Sequence, residues 1–363
     1  MKQLNNITIL KGDGIGPEIV DQAVKVLNAI GEKYNHDFIF DEQLMGACAI
    51  DATGNPLPEE TIQSCQDADA ILLGAIGDPK YDNDPNATVR PEQGLLKIRK
   101  TLGLFANIRP VRIFESLKHL SVLKPEVLQG VDMVIYRELT GGIYFGKKST
   151  SENEASDLCH YHRFEIERIC KLAFEEAQRR PRKKLCLIDK ANVLDSSRLW
   201  RDVVQHMRVD YPSVEVDYLF IDNAAMQMIL NPSQFDVIVT SNMFGDIISD
   251  EASVLGGSIG LLPSSSAGTK ARLYEPVHGS YPQAAGQDIA NPIATLLSVE
   301  MMLRDFGLEE EADEIIEAVT HCIDNNLLTI DLLKENPLLC SELGDLISRH
   351  ILSKTKKDYG VLI

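Results

Sequence analysis

Asp246 and Asp250 stand four residues apart in the stretch FGDIISD, with Ile247 and Ile248 between them. On a helix that spacing is about one turn, so both carboxylates project from one face. Like charges placed there repel one another. Either water screens them on a solvated face, or a divalent cation sits between them. A second set of charges could bind an anion. Arg99 and Arg109 lie in PEQGLLKIRKTLGLFANIRP (91–110), and Arg137 lies in the apolar, β-like IYREL. Arginine in an apolar strand is destabilising unless it meets a partner. Its planar fork matches a carboxylate through two parallel hydrogen bonds. Three such residues would suit a small dicarboxylate, or equally the chain's own acidic side chains.

The elements that must position these groups alternate along the chain. ITIL (7–10) leads through a glycine turn into the amphipathic PEIVDQAVKVLNAIGEKY, and FIFDEQ (38–43) follows. TIQSCQDADAILLGAIG reads as a helix and then a buried strand at 70–74. KLCLIDKAN (184–192), VEVDYLFID (214–222) and FDVIVTSN (235–242) are each followed by a helical stretch. This alternation predicts an α/β architecture, and continuous apolar runs such as DVIVT predict strands covered on both faces. VDMVIYRELTGGIYFGKK (131–148) reads as two β-like stretches around a Gly-Gly turn, a protruding hairpin or arm. Composition marks no domain boundary.

ILKGDGIGPEIV (9–20) is a strand, a glycine-rich turn and a helix, with Pro17 and Glu18 suited to the helix start. It is not a Rossmann fingerprint. The spacing is G-x-G-x-G followed by proline, and Asp13 stands where a pyrophosphate would approach. A tight turn that needs glycine dihedrals accounts for it equally well.

The 363 residues suffice for a large core and two domains. A net charge of −18 argues against nucleic-acid and membrane-surface partners. No apolar run approaches a membrane span, and no signal peptide opens the sequence. The seven cysteines form no CxxC pair, which suits a reducing cytoplasm.

Five segments in register then carry a resemblance. GDGIGPE (12–18), RELTGGIYFG (137–146), DKANVL (189–194), NMFGDIISDEAS (242–253) and EPVHGSYPQAAGQDIANP (275–292) closely resemble the isopropylmalate branch of the isocitrate/isopropylmalate dehydrogenases. The likeness runs over essentially the whole chain. It implies a two-lobed α/β fold with a mixed central sheet, not a Rossmann fold. Residues 1–104 and 257–363 would form the first lobe, and 105–256 the second. The second lobe would carry a dimerisation arm at about 131–160, and the active site would lie in the cleft.

The resemblance also implies roles. Asp222, Asp246 and Asp250 would hold Mg²⁺ or Mn²⁺. Arg99, Arg109 and Arg137 would bind the malate portion, alongside Asp222. Lys190 would be the general base and Tyr144 the proton donor. Read from the residues alone, Lys190 is a strand-end charge pair and Tyr144 an aromatic in a hairpin. The implied reaction is NAD-dependent oxidation and decarboxylation of (2R,3S)-3-isopropylmalate to 4-methyl-2-oxopentanoate in leucine biosynthesis. In the family the lysine comes from the neighbouring subunit of a homodimer. Glu92, Leu95, Leu96 and Val193 would set specificity, because an apolar pocket leaves the third carboxylate of isocitrate unpaired. Ile15, His278, Gly279, Ser280, Gln283 and Asn291 would contact the cofactor. Relatives often have aspartate where Gln283 stands. Glutamine can still bond a ribose hydroxyl, and no basic residue nearby would grip a 2′-phosphate, which favours NAD over NADP. GDPKYDNDPNATVRPE (77–92) reads as a turn-rich loop near the nicotinamide.

Overall fold

A computed structural model describes residues 4–82 and 88–353, so positions 83–87 of the turn-rich loop lie outside the described residues. The chain separates into two compact units. One contains the residues up to Leu96 together with those from Leu273 onward, and the other is Lys97–Arg272. The expected crossings, 104/105 and 256/257, differ from these, since 97–104 and 257–272 cluster with the second unit.

The first unit opens with β1 (Leu4–Gly12), a glycine turn and α1 (Gly16–Tyr34). Proline at its start, Glu18 in its first turn and the left-handed Asn35 after its end bound this helix. Its apolar face, including Ile19, Ala23, Val26, Leu27 and Ile30, is buried. Each such side chain contributes on the order of 1.5–3 kcal/mol by leaving water, alanine less. There follow β2 (Asp37–Glu42), α2 (Ala47–Thr53), α3 (Glu59–Asp67), β3 (Ala70–Ala75) and the short α4 (Pro79–Asp82). α5 (Pro91–Thr101) leads into the second unit.

That unit contains β4 (Ala106–Arg112), β5 (Asp132–Glu138), β6 (Lys148–Thr150), β7 (Ala155–Asp157) and α6 (Arg163–Arg179). It continues with β8 (Lys184–Asp189), α7 (Asp195–Met207), β9 (Glu215–Phe220) and α8 (Ile221–Leu230). β10 (Val237–Thr240), α9 (Asn242–Ser253) and β11 (Pro263–Ala267) complete it. β12 (Arg272–Pro276) returns the chain to the first unit, which ends with α10 (Ile293–Asp305), α11 (Glu309–Asp324) and α12 (Cys340–Ser353).

In the first unit the strands run in the order β2-β1-β3-β12, all parallel. In the second the order is β11-β4-β5-β10-β8-β9. There β4 is antiparallel to both neighbours, and β5, β10, β8 and β9 are parallel. An antiparallel strand inside the layer is foreign to the Rossmann arrangement. The apolar runs behave as parallel strands must: every residue of β3 and β10 is buried.

The hairpin lies elsewhere than its sequence suggests. Residues 132–138 form the interior strand β5, paired on both sides and buried after Asp132. The Gly-Gly pair leads instead into a single 3₁₀ turn, Gly142–Tyr144. The ribbon is β6 paired with β7, and all of its strand residues are exposed. Glycine spacing located a change of direction, but an apolar run beside it marked a core strand, not one arm of a hairpin.

Asp13 also turns out differently from its reading as an obstacle to phosphate. Its side chain is buried and turned inward. Oδ2 accepts from the amides of Ala47 (2.9 Å) and Gly77 (2.9 Å), and Oδ1 from Cys48 (3.0 Å). One carboxylate thus meets the free N–H groups that begin α2 and fixes the start of the 77–92 segment. Asp13→Asn would place a donor against donors. We expect a loss of about 1–3 kcal/mol, read as a lower thermal midpoint with the circular-dichroism spectrum retained. An unchanged midpoint would show that these amides have other acceptors.

Candidate active site

Arg137 leaves β5 and runs beside α9. A Cβ at Gly245 would lie 2.5 Å from Arg137 Cγ, so glycine alone lets the side chain pass. The guanidinium is buried and multiply held. Nε donates to the Asn242 carbonyl oxygen (3.0 Å) and Oδ1 (3.2 Å), Nη2 donates to Asn242 Oδ1 (2.9 Å), and Nη1 donates to Asp246. Burial pushes its pKa down to about 10; Asp246 opposes that shift, and Arg109 and Arg99 add to it. It is therefore still a cation at neutral pH.

Arg109, from β4, is held in a parallel way. Nε donates to Asn107 Oδ1 (2.6 Å), and Nη1 donates to Ser249 Oγ (2.7 Å) and Asp250 Oδ1 (3.1 Å). Asn107 is itself buried, with its amide directed at Ser265 O and Ser266 Oγ, both at 3.4 Å. Asp246, Ser249 and Asp250 thus recur along the face of α9 that meets the two arginines. Tyr144, in the 3₁₀ turn after β5, donates its hydroxyl to Asp246 Oδ2 at 3.0 Å. Its ring centroid lies 6.0 Å from Arg137 Cζ. Burial, and then the Asp246 carboxylate, raise its pKa.

Lys190 follows β8, and its Nζ lies 2.8 Å from Oδ1 of Asp222, at the start of α8. The ammonium keeps the exposed Asp222 carboxyl below its usual range. The structure therefore gathers Arg109, Arg137, Tyr144, Asp246 and Asp250, with Arg99 in electrostatic range, and pairs Lys190 with Asp222. Among the described residues no three His, Cys, Asp or Glu side chains are placed together to hold a metal ion. Asp246 and Asp250 fit a hard cation as two carboxylates on one helix face, beside groups that keep them oriented. Asp222 is not gathered with them within one chain. Val193, 62% exposed, lies in the turn after Lys190, with its amide bonded to Lys190 O at 3.0 Å.

In the first unit the glycine loop meets the 278–291 segment. Gly14 has φ +59°, and a Cβ there would lie 2.0 Å from Ser280 O. The Ile15 amide donates to that same oxygen at 2.8 Å. Ser280 and Asn291 are buried; Gly279 and Gln283 are exposed. Asn291 is engaged within the protein, donating to Asp331 Oδ2 (3.0 Å) and accepting from the Ile293 amide (3.0 Å). His278 is held neutral by burial, and its Nε2 is buried with no hydrogen-bond partner among the described residues. An orphaned ring nitrogen beside exposed backbone fits the polar edge of an adenosine. On α5, Glu92 and Leu96 (47% exposed) face outward and Leu95 is half-buried, so these leucines do not simply fill the core.

Sequence reasoning passed over Asn107, Asn242 and Ser249, which hold the arginines. Their signal was a polar residue inside ANIRP and another at the end of the apolar FDVIVTSN run.

The chain matches the isocitrate/isopropylmalate dehydrogenase family over residues 6–347, and it belongs to that family. It is 54% identical over 329 residues to the 3-isopropylmalate dehydrogenase of Bacteroides fragilis, covering 91% of this chain and 93% of that protein. It is 52% identical over 336 residues to the Bacillus subtilis 3-isopropylmalate dehydrogenase, covering 90% and 92%. Among solved structures it resembles isocitrate dehydrogenase from Methylococcus capsulatus, with TM-score 0.86, 35% identity and coverage of 96% and 99%. A β-decarboxylating dehydrogenase from Thermococcus kodakarensis aligns with TM-score 0.79, 33% identity and 96% coverage of each chain.

Because the Tyr144 pKa is raised above 10.0, its bond to Asp246 persists below pH 10 and is lost as pH climbs through the raised value. The difference in phenolate absorbance between the protein and Tyr144→Phe is expected to develop only above pH 10. A midpoint at or below 10 would contradict this environment. Gly14→Ala is expected to lower the thermal midpoint, because a methyl there would push the glycine loop off Ser280 O. An unchanged midpoint would show that the two loops can move apart at no cost.

Proposed function

We propose that the protein oxidises 3-isopropylmalate with NAD and decarboxylates the product to 4-methyl-2-oxopentanoate, supplying leucine biosynthesis. The observation that carries this reading is the pairing of Arg109 and Arg137, each oriented by a neutral amide, beside Tyr144 and two acidic side chains. Relatives more than half identical share the name of that activity. When bound, a divalent ion between the aspartates would supply Lewis acidity and the nicotinamide would accept hydride.

The chain's own residues account for the rest. Arg99, Arg109 and Arg137 bind and orient the malate carboxylates. Lys190 takes the C2 hydroxyl proton as the C2 hydrogen leaves with its electron pair. The resulting β-keto acid then breaks its C3–carboxylate bond, releasing CO₂, and Tyr144 returns a proton to C3. Leu95 and Leu96 receive the branched alkyl group and disfavour a third carboxylate there. His278 and the surrounding loop, with Ile15, receive the adenosine, and the absence of basic residues at Gln283 and its neighbours favours NAD.

Lys190 and Asp222 are assigned to the site of a second copy in a homodimer. Two observations support this. Among the described residues of one chain Asp222 forms no metal-holding group with Asp246 and Asp250, and α8 and α9 expose Met226, Ile229, Leu230 and Ile247. Free cysteines throughout support a reducing cytoplasm. Among the described residues no helix is long and apolar enough to cross a membrane.

The test is a panel of kcat/KM values for 3-isopropylmalate, isocitrate, homoisocitrate, tartrate and malate, with NAD and with NADP, before and after chelation and metal return. Isopropylmalate with NAD is expected to lead, and activity to vanish on chelation and return with Mg²⁺ or Mn²⁺. A preference for isocitrate, or full turnover by metal-free protein, would overturn the proposal.

A further inference from the structure

We infer that Asn242 is a positioning residue that fixes Arg137 and the turn carrying Tyr144 at once, so that anion binding and proton delivery share one neutral anchor. The inference rests on the function proposed above. Asn242 begins α9 and is 1% exposed. Its Oδ1 accepts from Arg137 Nη2 and Nε, and its backbone oxygen accepts from Nε as well. Its Nδ2 donates to Gly141 O at 3.3 Å, in the turn that leads to Tyr144. Its own amide donates to Tyr161 Oη at 3.0 Å. The other side of the turn is held by buried Glu138, which accepts from the amides of Thr140 (2.9 Å) and Gly141 (2.7 Å).

The chemistry of the anchor decides its role. A guanidinium that must bind a substrate carboxylate has to be oriented without being neutralised. Arg137 already meets one carboxylate, Asp246; an aspartate at 242 would set a second against it, leaving less charge for a substrate, and could not donate to Gly141 O. An amide supplies acceptor and donor together and adds no charge. Gly245 lets the Arg137 side chain lie against α9, where a Cβ would come within 2.5 Å of its Cγ.

The experiment compares the parent enzyme, Asn242→Asp, Asn242→Ser, Arg137→Lys and the Asn242→Ser/Arg137→Lys double variant. Thermal midpoint, KM for 3-isopropylmalate, KM for NAD and kcat are measured for each. Asn242→Asp is expected to raise the substrate KM by about tenfold to a hundredfold and to lower kcat, with KM for NAD unchanged. Asn242→Ser keeps the site neutral and remains informative if the aspartate variant does not fold. Its effect is expected to be non-additive with that of Arg137→Lys, because both act through one guanidinium. Additive effects, or KM values for substrate and NAD that rise together, would overturn the inference. Parent enzyme that turns over no malate-type acid would overturn the proposed function and this inference with it. Parent turnover with variants indistinguishable from it would overturn the inference alone.

Discussion

A cation buried beside a helix has to be satisfied without being discharged, and the second unit is organised around that requirement. Arg137 stands on an interior strand with almost no access to water. A set made of carboxylates alone would stabilise it, yet would leave nothing for an incoming anion. The structure answers with a mixture of partners: an amide side chain, a backbone carbonyl and one acid, Asp246, that also accepts from Tyr144. Arg109 repeats the pattern with Asn107, Ser249 and Asp250. Asp250 is exposed and Asp246 partly so, while the amides of Asn107 and Asn242 are buried. Two guanidinium groups therefore stay close together despite their mutual repulsion.

The first unit solves the opposite problem with the same economy. There a buried anion, Asp13, gathers three amides from two separate segments. The carboxylate is hidden in the framework, so the face of the glycine loop remains backbone. That face is docked on the Ser280 carbonyl through Ile15, where the sharp turn at Gly14 permits contact. A loop built this way keeps its shape without a side chain standing in the path of a ligand.

Much of this was legible in residue order. Alternating strands and helices, the one-face spacing of Asp246 and Asp250, and an arginine set within an apolar run all translate directly into local geometry. The α/β class follows from period and length. What escaped was information carried by partners distant in sequence. Whether Asp13 faced a ligand or the interior depended on amides 34 to 64 residues away. The apolar VDMVIY run could be an arm or a core strand until β4 and β10 paired with it. Asn107 and Asn242 look unremarkable in a string, because an amide becomes informative only when its surroundings are dry. Lys190 and Asp222 show the same limit, since the ion pair between the end of β8 and the start of α8 joins residues far apart in the string.

The β6–β7 ribbon carries a consequence of its own. Six strand residues, all in water, offer no greasy side to bury, and a bare two-stranded ladder is marginal at best. Its ladder is therefore among the parts of the second unit held least firmly by burial. A spectroscopic label there would report fraying long before the core of the second unit loosened.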